Sequence, residues 1–529
     1  MKIPIEVYTD YSIQYGFVKI KNLISKAAEL GFSAVGISDL NSISGVVEFL
    51  QEVKKHNASH EKKIKPIVGV VIDNGQSKRL VVAKNKNGYY NLIHLINNIP
   101  LKFDFDANNL EFPVGESPVF YVEPNEKLYH QIIICSKEHL TLLDATTATA
   151  TNEELSRFFE AEKNFGLTKE SGIEIEQATL DSIQAFDVAD KPRIPVLHEN
   201  ATEVLLAACR DGWKKRDLNA KIGKDLDLKK RYVDRITEEL ATFKKANIEN
   251  YFLILKKYIS DYAAEHGVSI GLRGSGAGTI VSFLLGLSDV DPIQPDPTLP
   301  WAKERELSFS RFYNDARNTK DHVSMPDLDM DVPISFRNRL IQHIKKSLGD
   351  KYVGFIITFN RLDGKGAIKE MFRIMEPVQN SFDIANMITR EMVDTAKVQD
   401  VLADLQEDNP DYNIIQYNID HVYRVGQYYA QYKEVFDIAI KLGSSIRSTG
   451  RHAAGIVISD VPLAEAFPIL YDKDSGEAIV ALEMVDLEYC GGVKYDILGV
   501  AAYEKIDRIM DMINNNRDEP IIETEFVEC

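Results

Sequence analysis

The chain has 529 residues, and its 80 Asp and Glu against 62 Lys and Arg give a formal net charge of −18. At about 150 residues per domain, this length predicts about three or four domains. A hydrophobic share of 44% and a charged share of 27% are ordinary for a globular protein, and they exclude disordered, collagen-like and coiled-coil classes. The acidic total does not exclude nucleic-acid binding, because that binding depends on local patches.

No apolar run approaches the ~18–20 residues that a membrane span needs, and the first residues lack the apolar segment of a signal peptide. The four cysteines, Cys135, Cys209, Cys490 and Cys529, lie far apart and form no CxxC pair. This spacing disfavours a disulfide framework or a zinc ribbon. We therefore predict a cytoplasmic protein that has no contact with a membrane.

Residues 5–197 alternate short apolar runs with helical patterns. The predicted helices lie at 18–30, 45–55 and 89–96, and Gly31 takes the C-cap position of the first. The predicted strands are residues 5–8, 34–38, 67–72, 80–83, 132–135 and 194–197. Such alternation predicts an α/β layered or barrel domain.

From Ala201 onward the pattern becomes helical. Residues 211–231 contain eight basic and four acidic side chains, the clearest cationic patch in the chain. On its own this patch favours a solvated helix face. Residues from about 382 to 439 are again predicted to be helical, with a polar face.

Asp327, Asp329 and Asp331 alternate with apolar residues. In a strand, alternate side chains share a face, so the three carboxylates would point the same way. Crowded like charges are costly unless a cation lies between them, and Mg²⁺ prefers such hard oxygen ligands. A solvated acidic turn is the simpler alternative, because D-x-D patterns are common by chance.

The glycine-rich stretch 274–278 leads directly into an apolar helical pattern, and Arg273 precedes it. Small residues let backbone N–H groups approach a phosphate, and a helix N-terminus favours negative charge. The stretch is neither a Walker A loop nor a dinucleotide fingerprint, and an ordinary flexible loop explains it equally well. Further on, Lys494 and Asp496 would share one face of a strand. A glycine-serine loop, a D-x-D strand and a distant Asp together fit two-metal nucleotidyl transfer.

The sequence resembles the bacterial C-family replicative DNA polymerases, the DNA polymerase III alpha subunits, over most of its length. The matching motifs follow the family's order and are specific as a set, although Asn250 replaces a usual glycine. In the N-terminal PHP (polymerase and histidinol phosphatase) part they are residues 11–12, 65–69 and 83–92. In the polymerase part they are residues 251–254, 273–278, 324–329, 357–359, 450–455 and 493–499.

This resemblance implies a template-directed DNA polymerase that transfers deoxynucleotides to a primer 3′-hydroxyl. It implies that Asp327, Asp329 and Asp496 hold two catalytic Mg²⁺ ions, with Asp331 as a neighbour. One ion would lower the pKa of the 3′-hydroxyl, and the other would stabilise the leaving pyrophosphate. The residues implied to bind the nucleotide phosphates are Arg273, Gly274, Ser275, Arg311, Lys365 and Lys494.

The implied fold is multidomain α/β and α+β. A PHP-type, barrel-like α/β domain over residues 1–205 precedes a nucleotidyltransferase-like palm. The palm occupies 206–378 and 441–529, and a helical thumb is inserted at 379–440.

The PHP part departs from an active metal site. Its opening His-x-His falls on Glu6 and Tyr8, its Asp-His pair falls on Asp39 and Leu40, and a ligand Glu falls on Val71. Leu, Tyr and Val cannot replace these ligands. We therefore expect no metal, proofreading or phosphatase activity there, and a structural role for Asp39. His198 and Glu199 lie near one further ligand position, which does not make a cluster.

Family members continue for several hundred residues beyond the third catalytic Asp. We therefore expect a second polypeptide that carries the fingers and C-terminal domains, and through it a sliding clamp; the chain alone would be weak or inactive. Three explanations of the shorter chain compete: a naturally split enzyme, a reduced phage-type enzyme and a truncated piece. The terminal Cys529 raises a split-intein junction as a further explanation, because a Cys is the first nucleophile of such a junction. The predicted partners are primer-template DNA and deoxynucleoside triphosphates, in a bacterial or phage-infected cell.

Two other functions remain open. A non-catalytic DNA-binding or assembly module would retain the fold, although the intact carboxylates disfavour it. A PHP phosphoesterase is disfavoured by the lost ligands.

Overall fold

The computed structural model describes residues 1–149, 151–160, 163–294, 306–312, 328–376, 378–409 and 412–514. These residues divide into two compact units. The first unit contains Met1–Asp187 and Thr358–Gly450, and the second unit contains Val188–Ile357 and Arg451–Cys529. Both units combine helices with strands, so the predicted multidomain α/β class is confirmed.

The strands are β1 Lys2–Ile3, β2 Ala34–Leu40, β3 Lys65–Asp73, β4 Lys78–Ala83, β5 Asn109–Phe112, β6 Ile173–Glu174, β7 Gly271–Arg273, β8 Asp329–Val332, β9 Val353–Arg361, β10 Ile446–Ile458, β11 Ile469–Tyr471, β12 Ala478–Val480 and β13 Lys494–Gly499.

The helices are α1 Ile20–Leu30, α2 Val46–Ser59, α3 Lys86–Ile96, α4 Phe105–Asn108, α5 Lys127–Glu138, α6 Leu142–Ala148, α7 Glu153–Phe159, α8 Gln177–Ser182, α9 Ala201–Lys215, α10 Leu218–Ile222, α11 Leu226–Ala246, α12 Glu249–Leu255, α13 Asp261–Glu265, α14 Ile280–Leu284, α15 Ile334–Leu348, α16 Gly364–Met375, α17 Ser381–Glu391, α18 Thr395–Asp408, α19 Ile414–His421, α20 Tyr423–Gln431, α21 Lys433–Leu442, α22 Leu463–Ala466, α23 Met484–Tyr489 and α24 Ala501–Asn514. No helix within the described ranges is long and apolar enough to cross a membrane.

In the first unit, β2 to β5 form a four-stranded sheet in the order β2-β3-β4-β5. β2 and β3 are parallel, while the other two pairs are antiparallel. The core of β2 and β3 is buried on both faces, which explains their nearly continuous apolar runs. Gly31 ends α1 in the left-handed conformation, as its position after the last apolar residue predicts. Barrel-like closure of this part stays a prediction.

Two predicted strands are wrong. Residues 132–135 lie inside α5, a helix of 12 residues whose C-cap, His139, has the left-handed conformation. α5 packs against several helices, among them α6, α16 and α21, so that consecutive residues of it are buried. The resulting continuous apolar run at 132–135 resembles that of a buried strand. Residues 194–197 form no regular element. The strand predicted at 5–8 is reduced to an isolated bridge between Val7 and Val119.

The helical stretch predicted at 382–439 is confirmed. Helices α17 to α21 belong to the first unit and pack with α16 around a core that includes Phe372, Ile388 and Phe436. Whether these helices act as a thumb stays a prediction, as do the other predicted domain boundaries.

The second unit holds most of a seven-stranded sheet in the order β11-β12-β9-β10-β13-β8-β7. β13 lies between β10 and β8, antiparallel to the first and parallel to the second. This interior place joins segments that are far apart in sequence, and it positions the acidic residues described next.

Candidate active site

Two of the predicted acidic residues are neighbours across adjacent strands. In the parallel pair β13 and β8, Asp496 stands directly opposite Asp329. On the other side of β8, Arg273 of β7 is the antiparallel partner of Asp329. Neighbouring strands lie about 4.8 Å apart, so the sheet register brings the two Asp residues together. Asp327 lies outside the described residues.

Burial and a neighbouring acid both act on the Asp329 carboxyl. Asp496 is 7% exposed. Burial raises the pKa of the Asp329 carboxyl, and the charge and hydrogen bond of Asp496 raise it further. Two carboxylates in this arrangement resist being ionised together, so a cation between them would stabilise the charged forms.

Two protein cations partly offset the acids. The Lys494 ammonium lies 2.6 Å from Asp496 Oδ2, so the two side chains share one face as the strand pattern predicts. Arg273 Nε donates to Asp331 Oδ2 at 2.5 Å. In the part of the chain that is described, Asp331 Oδ1 and Asp496 Oδ1 are both buried and accept no hydrogen bond. Unpartnered, buried carboxylate oxygens are costly unless a further ligand satisfies them.

The missing side chain of Gly455 lets the backbone of β10 approach Asp496 closely. A Cβ at Gly455 would lie 3.3 Å from Asp496 Oδ1 and 2.9 Å from Ile356 Cδ1. His452 Nδ1 accepts hydrogen bonds from the backbone N–H of Gly455 at 2.8 Å and of Ala454 at 3.3 Å, which fixes this turn of β10. Unpartnered carboxylate oxygens fit a small divalent cation such as Mg²⁺. Among the described residues no group of three His, Cys, Asp or Glu is placed to hold a metal ion.

The glycine-rich stretch follows β7 as a 3-10 turn over Gly274–Gly278. Gly274 has a φ of 75°, a left-handed conformation that favours glycine. Gly276 packs so closely on Leu328 that a Cβ would lie 2.2 Å from its Cδ2. Since Leu328 immediately precedes β8, the turn, with Ser275 half-buried in it, lies against the strand that carries Asp329.

The expected use of the following helix N-terminus for phosphate is not available. Glu239 of α11 accepts hydrogen bonds from the N–H groups of Ile280 at 3.0 Å and Val281 at 3.1 Å. Thr279 Oγ1 accepts from the N–H of Ser282 at 2.9 Å. The first amides of α14 are therefore satisfied by the protein itself, so that among the predicted phosphate-binding features here only the turn 274–278 and Arg273 keep that prediction.

The remaining predicted phosphate ligands are placed less directly. Arg311 ends a short 3-10 turn, and its side chain lies outside the described set. Lys365 belongs to the first unit, where its ammonium lies 2.7 Å from Asp394 Oδ1.

The sequence analysis did not identify the residues that support the backbone of the site. Arg337 of α15 donates from Nε to the carbonyl of Ile497 at 2.7 Å, directly after Asp496. Burial lowers the pKa of this guanidinium, and the neighbouring Arg451 lowers it further. Neither Arg337 nor Glu239 stands in a pattern that distinguishes it from an exposed helical charge, so no local signal identified them.

The former PHP ligand positions form hydrogen bonds with one another and with the backbone. Tyr8 Oη donates to Glu6 Oε1 at 2.9 Å, and the N–H of Gly115 donates to Glu6 Oε2 at 2.7 Å. Asp39 accepts from the N–H and the hydroxyl of Thr9, both at 2.7 Å, and from the hydroxyl of Ser12 at 2.6 Å. These contacts support the structural role predicted for Asp39. His198 and Glu199 fall in the second unit.

Comparison with known proteins gives matches along most of the chain. Residues 203–499 match the family described as bacterial DNA polymerase III alpha NTPase domain, and residues 5–178 match the PHP domain family. DNA polymerase III subunit alpha of Ureaplasma parvum is 27% identical over 98% of this chain and 52% of its own length. The proteins of the same name from Buchnera aphidicola of Acyrthosiphon pisum and from Escherichia coli K12 are 25% and 24% identical, each over 97% of this chain and 49% of their own length. The chain thus spans about half the length of the curated relatives it matches.

Proposed function

Because this chain belongs to the bacterial DNA polymerase III alpha family, we propose that it carries the nucleotidyl-transfer site of a template-directed DNA polymerase. The observation that carries the proposal is the register of β8 and β13. That register pairs Asp329 with Asp496, and Asp496 keeps one buried oxygen that accepts no hydrogen bond among the described residues.

Each residue of the site has a proposed task. Asp329 and Asp496, with Asp327 on the strength of the family resemblance, would hold Mg²⁺. Bound Mg²⁺ supplies charge neutralisation and activation of the primer 3′-hydroxyl. Lys494 orients Asp496 through their ion pair, and Arg337 fixes the backbone of β13 behind it.

The nucleotide phosphates are proposed to bind at the start of the glycine-rich turn. Arg273 is partly neutralised by Asp331, yet half of its side chain remains exposed. Gly274 and Ser275 follow it with small side chains that leave the backbone N–H groups accessible. The triphosphate would therefore lie between this turn and the Asp329–Asp496 pair. The predicted roles of Arg311 and Lys365 rest on the resemblance alone.

The wider assembly is also a proposal. Primer-template DNA, deoxynucleoside triphosphates and a second polypeptide that carries fingers and a clamp-binding segment are the partners that the family suggests. A non-catalytic assembly module would not need the buried carboxylate of Asp496 beside the half-buried one of Asp329, because removing charge from water costs desolvation free energy. The polymerase is therefore preferred over that alternative.

The test is primer extension by the full chain, alone and with a co-expressed polypeptide that carries the fingers. Asp329→Asn and Asp496→Asn should each lower nucleotide incorporation about a thousandfold, because a loss of several kcal/mol of metal-linked charge stabilisation corresponds to such a factor. Asp211→Asn, which changes an exposed Asp of the same unit, is the matched control. Full incorporation by either active-site variant would refute the assignment.

A further inference from the structure

One Arg-Glu pair on α11 binds almost entirely to the backbone around the glycine-rich turn. Arg235 and Glu239 lie one helical turn apart, and Arg235 Nε donates to Glu239 Oε1 at 2.7 Å. Glu239 is 0% exposed. A carboxylate buried this completely requires strong hydrogen-bond partners, so its contacts reveal what it stabilises.

Glu239 binds the point where the turn ends. Its two oxygens accept the N–H groups of Ile280 and Val281, the first residues after Thr279. Hydrogen bonds to a charged acceptor are stronger than neutral ones. The carboxylate therefore fixes the direction in which the chain leaves Gly278.

Arg235 binds two separate backbone segments with one guanidinium group. Its Nη2 donates to the carbonyl of Gly278 at 2.7 Å and to that of Leu307 at 3.0 Å. The guanidinium also lies 5.4 Å from the ring centre of Phe309. The Arg235 guanidinium therefore joins the last glycine of the turn to residues 307–309.

The turn itself has little means of keeping one conformation. Its sequence, Gly-Ser-Gly-Ala-Gly, carries large backbone entropy and has only two small side chains of its own. Its beginning is fixed by the pairing of β7 with β8, in which Arg273 stands opposite Asp329. Its end has no such strand, and the contacts of Arg235 and Glu239 are concentrated there.

We propose that Arg235 and Glu239 are positioning residues of the nucleotide site, which hold the end of the turn 274–278 so that its amides stay at a fixed place relative to Asp329 and Asp496. The inference rests on the proposed function, because it takes the turn to be the triphosphate site. Ordering the turn in advance lowers the entropy lost when the triphosphate binds. Neither side chain contacts the nucleotide in this proposal.

The experiment measures binding of Mg²⁺ and dGTP to the full chain by calorimetry, together with hydrogen exchange. Glu239→Gln keeps the size of the side chain but removes its charge, and Arg235→Lys keeps the charge but removes the guanidinium. Each variant should weaken dGTP binding about tenfold, the scale of a lost charged hydrogen bond. Exchange should accelerate in residues 274–284, in Arg235→Lys also in residues 307–309, and should stay unchanged elsewhere. Glu238→Gln, an exposed neighbour on the same helix, should behave as the unmodified chain.

The outcomes separate the two proposals. If the unmodified chain binds dGTP and both variants bind it equally well, the positioning role is wrong while the proposed function stands. If both variants exchange faster throughout the second unit, the pair is a general structural element and the inference is likewise wrong. If neither the unmodified chain nor its complex with the co-expressed fingers-bearing polypeptide binds dGTP in the presence of Mg²⁺, the proposed function fails, and the inference fails with it.

Discussion

The carboxylate of Asp496 divides its two oxygens between different surroundings. Oδ2 is paired with Lys494, whereas Oδ1 is buried beside Gly455 and accepts no hydrogen bond from the described residues. A side chain at position 455 would therefore contact Oδ1 as well as Ile356 and His452. This makes Gly455 a sensitive probe of whether that oxygen is used.

We expect Gly455→Ala to impair nucleotide incorporation at least tenfold, because the added Cβ would crowd Asp496 Oδ1 at 3.3 Å. It should also cost about 1–3 kcal/mol of unfolding free energy through overpacking against Ile356. The double variant with Ile356→Val removes that second contact. Single-nucleotide incorporation is measured over a range of Mg²⁺ concentrations, together with thermal melts. Full activity of the double variant would contradict the prediction.

We expect the buried Asp39 carboxyl to make the free energy of unfolding depend on pH. Burial raises its pKa to about 7, against the lowering effects of its hydrogen bonds with Ser12 and Thr9. Between the ordinary Asp value and about 7, the folded chain then holds a proton that the unfolded chain has released. The free energy of unfolding should fall as pH rises through this window, by about 1.4 kcal/mol per pH unit from this group, and level off above it.

Asp39→Asn removes the titrating group. Urea unfolding of the unmodified chain and the variant at pH 5, 6 and 8 should show a flatter pH dependence in the variant. Parallel curves for the two proteins would show that Asp39 does not hold the proton in the folded state.

Single residues differ in how far the sequence predicts them. The alternation around Asp329 and the spacing of Lys494 and Asp496 indicate shared faces, because strand geometry is local. The partner of each carboxylate depends instead on which strands are adjacent. Glu239 is recognisable only after α11 is placed against the turn, since an Arg-Glu pair at this spacing is normally a surface pair.

The elements show a similar division. Helices with caps and amphipathic spacing, such as α1, are predictable from local pattern. α5 is not, because its apolar run is buried by several helices at once and so lacks a polar face. The order β10-β13-β8-β7 is likewise set by long-range pairing, which no local pattern contains.

The contact between α9 and α14 yields a stability prediction. A Cβ at Gly212 of α9 would meet the carbonyl oxygen of Leu284 on α14. Gly212→Ala should therefore destabilise the chain by about 1–3 kcal/mol, although alanine normally favours a helix.

Gly366→Ala in α16 is the matched comparison, since a Cβ there meets nothing within 4 Å. It should stabilise by roughly 0.5–1 kcal/mol. Chemical unfolding monitored by circular dichroism measures both values. Similar effects of the two substitutions would contradict the close approach of α9 and α14.

At the scale of the whole molecule, the proposed function requires an acidic chain to bind an acidic polymer. The net charge is −18, but Lys215, Lys221, Lys224, Lys229 and Lys230 are all exposed within the patch recognised in the sequence. At physiological salt the Debye length is about 8 Å, so the distant negative charges are screened while local cations still act on phosphates.

DNA binding by this chain alone should accordingly be weak and should decline early as salt rises. Fluorescence anisotropy with a labelled primer-template between 50 and 200 mM salt measures the effect, and several released counterions would lower the affinity about a hundredfold or more over this range. An affinity that stays constant across these salt concentrations would exclude phosphate contacts as its main source.

The interior position of β13, between β10 and β8, has a consequence for biosynthesis. β8, with Asp329, leaves the ribosome long before β13, with Asp496, and the helices α16 to α21 are translated between them. Until then β8 offers an unpaired edge, and a nascent or prematurely terminated chain has only part of the acidic cluster. Under the proposed function, the complete acidic site would form only late in translation, so an interrupted messenger would produce an inert fragment.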